Sequence, residues 1–172
     1  VQDAVSQHMG EAEAQDDIQP GSPQLDIVTV DPATGFAVLK WLPSSSPDVG
    51  SYVVYTWSGT AATAVDTIRS PYIYDYTHSG SAARYRSVTY MVAAIDSSLN
   101  ISPLSNGLST IWLSAVNDVC NSRVTVTWTP FENLRHPATG YIMHISEGDG
   151  TVISDVNLPP GETQYLFSGY NP

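Results

Sequence analysis

Basic residues are what this 172-residue chain most lacks: Lys and Arg together number six, with Lys40 the single lysine, against 17 Asp and Glu, for a formal net charge of −11. Phosphate binding needs a basic face, so the balance argues against nucleic acid as a partner and against docking on an anionic membrane surface. Cysteine is equally scarce. Cys120 stands alone, cannot form an internal disulfide, and leaves the redox compartment open. No apolar run reaches the roughly 18 residues that a membrane-spanning helix needs. The metal and nucleophile motifs HExxH, CxxC and GxSxG are absent, as is a Gly-rich phosphate loop, so no catalytic residue, metal ligand or cofactor is expected.

What is abundant points to strands. Val, Thr, Ser and Tyr are frequent, hydrophobic residues make up 42% of the chain, and 12 Gly with 12 Pro supply turns, a mixture that favours short strands over helices. Residues 1–22 form an acidic segment, poor in aromatics, that ends in Pro20-Gly21-Ser22-Pro23. They read as a tail or linker, with at most a nascent helix over Glu11–Gln15. The chain starts on Val1 rather than Met, which suggests a processed end from which an export signal has been removed.

From Pro23 the pattern turns to a two-residue period. Ala37, Leu39 and Trp41 share one face, and Tyr52 and Val54 share another. Thr63–Ile68, Tyr72–Tyr76 and Val88–Ile95 follow as further runs, each bounded by Gly, Pro, Ser, Asp or Asn. Regular short strands of this kind predict a β-sandwich. The chain then repeats. Trp41-Leu42-Pro43 returns as Trp128-Thr129-Pro130 (128 − 41 = 87), Tyr52 as Tyr141 (141 − 52 = 89), and Tyr72-Ile73-Tyr74 as Tyr165-Leu166-Phe167 (165 − 72 = 93). A period near 90 fits one sandwich module. Residues 23–111 are therefore expected to form a complete module, and 112–172 a second that lacks its last two strands.

These residues resemble the fibronectin type III family. Its landmarks are the Trp-x-Pro after the second strand, the Gly-Tyr at the third, the run Tyr90-Met-Val-Ala-Ala-Ile-Asp96 and the following turn and strand through Ser105. The final Tyr170-Asn171-Pro172 stands where the family has its Leu-x-Pro. The resemblance implies an all-β, immunoglobulin-like sandwich, secreted or displayed at a cell surface and not itself an enzyme. Trp41 and Trp128 would be core tryptophans. The phrases Val30–Gly35, Ser46–Val49 and Ser109–Ser114 further resemble Bacteroidetes surface proteins exported by type IX secretion or associated with gliding motility. In those relatives a cysteine often occupies the turn held here by Ser97-Ser98, and another stands where Cys120 does; the first is missing here.

Several residues invite a role. Tyr55 and Trp57 alternate with Tyr52 and Val54, so they point outward and form a candidate aromatic patch for protein or glycan, or else pack under a loop. Asp66-Thr67-Ile68 resembles a short O-glycosylation motif of Bacteroidetes secreted proteins, with Thr67 the acceptor. Asn100-Ile101-Ser102 is a formal N-glycosylation sequon. His144 faces away from Tyr141 and Met143 and reads as solvated. Cys120 lies in a turn beside Asp118, which disfavours a thiolate; a half-buried loop thiol is expected.

The incomplete second module has the largest physical consequence. Val126, Trp128, Tyr141, Met143, Tyr165 and Phe167 would face a layer not closed from within. At roughly 1.5–3 kcal/mol per buried side chain, about 9–18 kcal/mol is at stake, as much as a domain's whole net stability of about 5–15 kcal/mol. Further polypeptide, or a protein partner or second copy donating strands, is expected to cover that face. Further polypeptide is favoured, because two strands are wanting rather than one. The resulting expectations are a structural or adhesive protein-binding module, a subunit completed by strand addition, or an accessory region of a larger secreted enzyme.

Overall fold

The computed structural model describes residues 17–168. The candidate helix at Glu11–Gln15, the expected processed end at Val1 and the Tyr170-Asn171-Pro172 motif lie outside them. Two sets of strands follow one another, both antiparallel throughout.

The first set holds β1 (Gln24–Val30), β2 (Ala37–Leu42), β3 (Val49–Trp57), β4 (Ala62–Ile68), β5 (Asp75–His78), β6 (Thr89–Asp96) and β7 (Leu108–Ser109). They make a three-stranded sheet, β1-β2-β5, and a four-stranded sheet, β4-β3-β6-β7, the two-layer order of an immunoglobulin-like sandwich. Alternation sends Ala37, Leu39 and Trp41 inward from one layer, and Tyr52, Val54, Tyr90, Val92 and Ala94 inward from the other. All eight are buried. A register shift between Leu25 and Ile27 breaks the alternation in β1, so Leu25 and Val28, three apart, both reach the core.

The last edge is built unusually. Pro103 has no N–H to donate, and only two residues of β7 pair regularly. Buried hydroxyls make up the ladder. Ser102 donates its N–H to Ala94 O and accepts the Ala94 N–H on Oγ; Ser105 does the same with Val92, and Thr110 with Val88, at 2.9–3.0 Å. Each staple satisfies one donor and one acceptor of the β6 region that would otherwise be buried unpaired. At the β6 end the buried Asp96 carboxylate accepts the N–H groups of Ser98 and Asn100 and the Asn100 side-chain amide. The sequon asparagine thus already spends its Nδ2 within the fold.

The second set holds β8 (Leu113–Asp118), β9 (Arg123–Trp128), β10 (Tyr141–Ser146), β11 (Val152–Leu158) and β12 (Gln164–Ser168). Its sheets are β12-β9-β8 and β10-β11. They match β5-β2-β1 and β3-β4, while nothing among the described residues corresponds to β6 and β7. The fold is therefore all-β and immunoglobulin-like, with one complete sandwich followed by an incomplete one.

Two expectations change in detail. The run Tyr72–Tyr76 was expected as a strand, but β5 begins at Asp75, and Tyr72 after Pro71 is exposed. The repeat alignment shifts with it. Leu39 pairs with Tyr76 and Val126 with Tyr165, so Tyr76 and His78, not Tyr72 and Tyr74, are the equivalents of Tyr165 and Phe167. Both offsets become 89 (165 − 76, 167 − 78), and the apparent six-residue drift shrinks to two. Residues 17–22 also differ from a free linker: Pro20 is buried, and the Gly21 N–H donates to Ser46 Oγ at 2.8 Å.

Candidate functional site

Each set of strands carries a sizeable cleft able to receive a ligand. In the second set it is the interior itself. Trp128, at the end of β9, meets Tyr141, at the start of β10, with ring centroids 5.6 Å apart and planes at 65°. The first sandwich holds the same pair, Trp41 and Tyr52, at 5.6 Å and 61°. Each tyrosine hydroxyl accepts the backbone N–H three residues beyond its tryptophan, Ser44 at 3.3 Å and Phe131 at 3.2 Å. Each indole N–H is buried without a partner.

The surroundings diverge. Leu39, Tyr52 and Val54 are at most 1% exposed, whereas their equivalents Val126, Tyr141 and Met143 are only half-buried, as are Tyr165 and Phe167. Trp128 alone is buried. An apolar cleft of about 270 Å³ opens there, walled by Leu113, Trp128, Tyr141, Met143 and Leu158. The edge of β10 away from β11 pairs with no described strand, whereas the same edge of β3 is paired with β6 over Val49–Trp57.

In the first sandwich the feature is a cleft of about 580 Å³ at one end, between the turn after β3 and the β5–β6 connection. Trp57, Ser58, His78 and Arg86 line it. Of these, His78 is held from within the sandwich: the Tyr90 hydroxyl, carried by β6, meets His78 Nδ1 at 3.0 Å and Ser81 Oγ at 2.6 Å. Burial holds the His78 pKa below its usual value, and it holds the Tyr90 phenol above its own.

The remaining candidates separate. Tyr55 and Trp57 are half-buried on the outer side of β3, and Trp57 but not Tyr55 lines the cleft. Thr67 is exposed on the edge strand β4, its amide held by the Asp66 carboxylate at 2.7 Å. Cys120 was expected half-buried; it is exposed, in a 3₁₀ turn (Val119–Asn121) capped by the Asp118 side chain. The tight turn between β8 and β9 projects the thiol away from any layer. His144 is exposed and bonded to Asp155 Oδ1 at 2.7 Å.

Sequence reasoning missed His78 and Arg86, although two of the five arginines of so acidic a chain fall together at Arg84 and Arg86, which is a signal. It also missed the junction between the two sets. Asn106 Oδ1 accepts the Leu25 N–H, and its Nδ2 donates to Leu25 O and Asn133 O. Asn133 Nδ2 returns to Gly107 O at 3.3 Å. Leu134 packs on the first core. Asn133 takes a left-handed φ of 58° to reach across, a conformation that asparagine tolerates.

No protein-family model matches the chain, and no curated protein does. Among solved structures, an Fn3-like protein from Clostridium thermocellum is similar at 26% identity over 54% of this chain and 93% of its own, with a TM-score of 0.45. The chicken CNTN1 FN1-FN3 domains are similar at 14% identity over 90% of this chain and 59% of theirs, with a TM-score of 0.42. By its own strand order, the protein is an all-β chain of immunoglobulin-like units, the second of them open along β10.

Proposed function

We propose that this chain is a non-catalytic, extracellular protein-binding module, in which the first sandwich is a rigid support and the β10 edge of the second unit pairs with an extended polypeptide segment, supplied by further polypeptide of the same protein or by a partner. One observation carries the proposal: the β10 edge that no described strand pairs is the equivalent of the β3 edge that pairs with β6, and the Tyr141 and Met143 face beside it is half-buried where Tyr52 and Val54 are buried. The expected occupant pairs antiparallel with β10 and alternates apolar residues toward Trp128, as Tyr90, Val92 and Ala94 do toward Trp41. Main-chain pairing supplies affinity in such recognition, and alternate side chains supply selectivity. The extracellular setting, and a narrower kinship with Bacteroidetes surface proteins, rest on the sequence phrases at Val30–Gly35 and Ser109–Ser114.

Hydrogen exchange tests this directly. A peptide with the sequence of residues 87–97 serves as probe, and a scrambled version as control. The β10 amides that β11 leaves unpaired should exchange fast in the chain alone and at least tenfold more slowly with the probe, and unchanged with the scrambled peptide. Slow exchange of those amides without any probe would overturn the proposal, as would equal slowing by both peptides.

A further inference from the structure

The end cleft of the first sandwich belongs to no part of that strand-receiving surface, and its chemistry is different. Its lining contains no acid, in a chain with 17 Asp and Glu against six Lys and Arg. Arg86 is exposed, and its guanidinium makes no hydrogen bond or ion pair with the described residues. Arg84, two residues earlier, is by contrast spent on Thr34 O at 2.9 Å. Trp57 is half-buried and lines the same cleft, and the Thr56 and Thr63 hydroxyls that line it with Trp57 have no partner among the described residues.

Placement of these groups is firm. Trp57 ends β3, where it pairs with Thr89 of β6 and Ala62 of β4, so its backbone is held from both sides. His78 ends β5 and is fixed through Nδ1 by the Tyr90 hydroxyl, itself bonded to Ser81. A preorganised wall lowers the cost of ordering a ligand. A free guanidinium offers a two-pronged donor for a carboxylate, a flat aromatic offers a face for the C–H side of a sugar ring, and unpaired hydroxyls suit ring hydroxyls. An apolar ligand would leave these donors unmet, and a basic one would meet Arg86.

We propose that this cleft binds a carboxylate-bearing saccharide, with a sugar ring lying against Trp57 and its carboxylate paired with Arg86. The site is separate from the β10 edge, so either can fail without the other.

The test is a titration followed by NMR and calorimetry on the whole chain, using a trigalacturonate as probe, with the neutral trigalactose and a tri-glutamate peptide as comparators. The acidic sugar should shift the Trp57 indole and Arg86 guanidinium signals. Arg86→Ala should weaken it about tenfold or more, the usual consequence of losing a charge-assisted pair, and Trp57→Ala should abolish it. Arg86→Lys should recover part of the loss. Arg86 is exposed, so its variants keep the fold; an unchanged melting curve verifies this for Trp57→Ala. Equal binding of the neutral sugar would overturn the proposal. So would tighter binding of the peptide, no response at millimolar probe, or an acid-sugar affinity indifferent to Arg86→Ala.

Discussion

The two tryptophan–tyrosine pairs are the same object in two settings. Trp41 with Tyr52 and Trp128 with Tyr141 share spacing, tilt and the hydrogen bond that the tyrosine hydroxyl accepts. Around the first, two layers close; around the second, one layer stops at β10 among the described residues. Local sequence thus sets the pair and its geometry. Burial, and the stability that comes with it, depends on strands far along the chain. A repeat can be preserved in conformation while it is incomplete in energy.

Removing each indole separates these contributions most strongly. Trp41→Ala should cost about 3–5 kcal/mol, the usual loss for a buried large aromatic, and Trp128→Ala clearly less, because its neighbours already meet solvent. Denaturant unfolding with fluorescence reports both; equal losses would mean that the second interior is as closed as the first.

The hydroxyl staples sharpen the contrast, since the described second unit has no counterpart to them. Ser105→Ala or Thr110→Val should each cost about 1–3 kcal/mol, the penalty for leaving a buried backbone donor unpaired. The same measurement reads this, and a loss under a few tenths would show that another acceptor fills the place.

Acid response gives the smallest effect and a clear sign. Burial depresses the His78 pKa below 6.5, so the unfolded chain binds the proton more readily than the folded one. The first sandwich should therefore keep this contribution above pH 6.5 and lose it as pH falls through the folded value. In the second unit, Asp118 and Asp149 accept hydrogen bonds that hold their pKa values below 3.8, so its response should begin only under about pH 4. Unfolding followed from pH 8 to 3 checks the order, and replacing His78 with Phe should flatten the upper part of the profile.

Much of the complete sandwich was legible because alternation is a strong signal where one face is fully buried. Ala37, Leu39 and Trp41, and Tyr90, Val92 and Ala94, are all core residues. Legibility failed where geometry departs from period two. The shift after Leu25 places core residues three apart. Tyr72 looked like strand, yet the pairing with β2 begins at Asp75, three residues further on. The hydroxyl ladder hid because serine and proline signal loop, and here they form an edge. The Asn106–Asn133 clasp joins residues 27 positions apart, and the cleft brings Trp57 together with His78 and Arg86, 21 and 29 positions further on, which no local pattern reports.

That clasp has a mechanical consequence. Asn106 grips Leu25, near the start of the first sandwich, and also a loop of the second unit. Asn133 returns a bond to Gly107 O, Leu134 packs on the first core, and Arg135 lies 3.9 Å from the Asp26 carboxylate, so the two units are coupled by a cluster of side chains in addition to the short connector at 110–112. Because these contacts tie the start of β1 and the end of the first sandwich to the loop at 131–135, the orientation of one unit is set by the other and not by the connector alone.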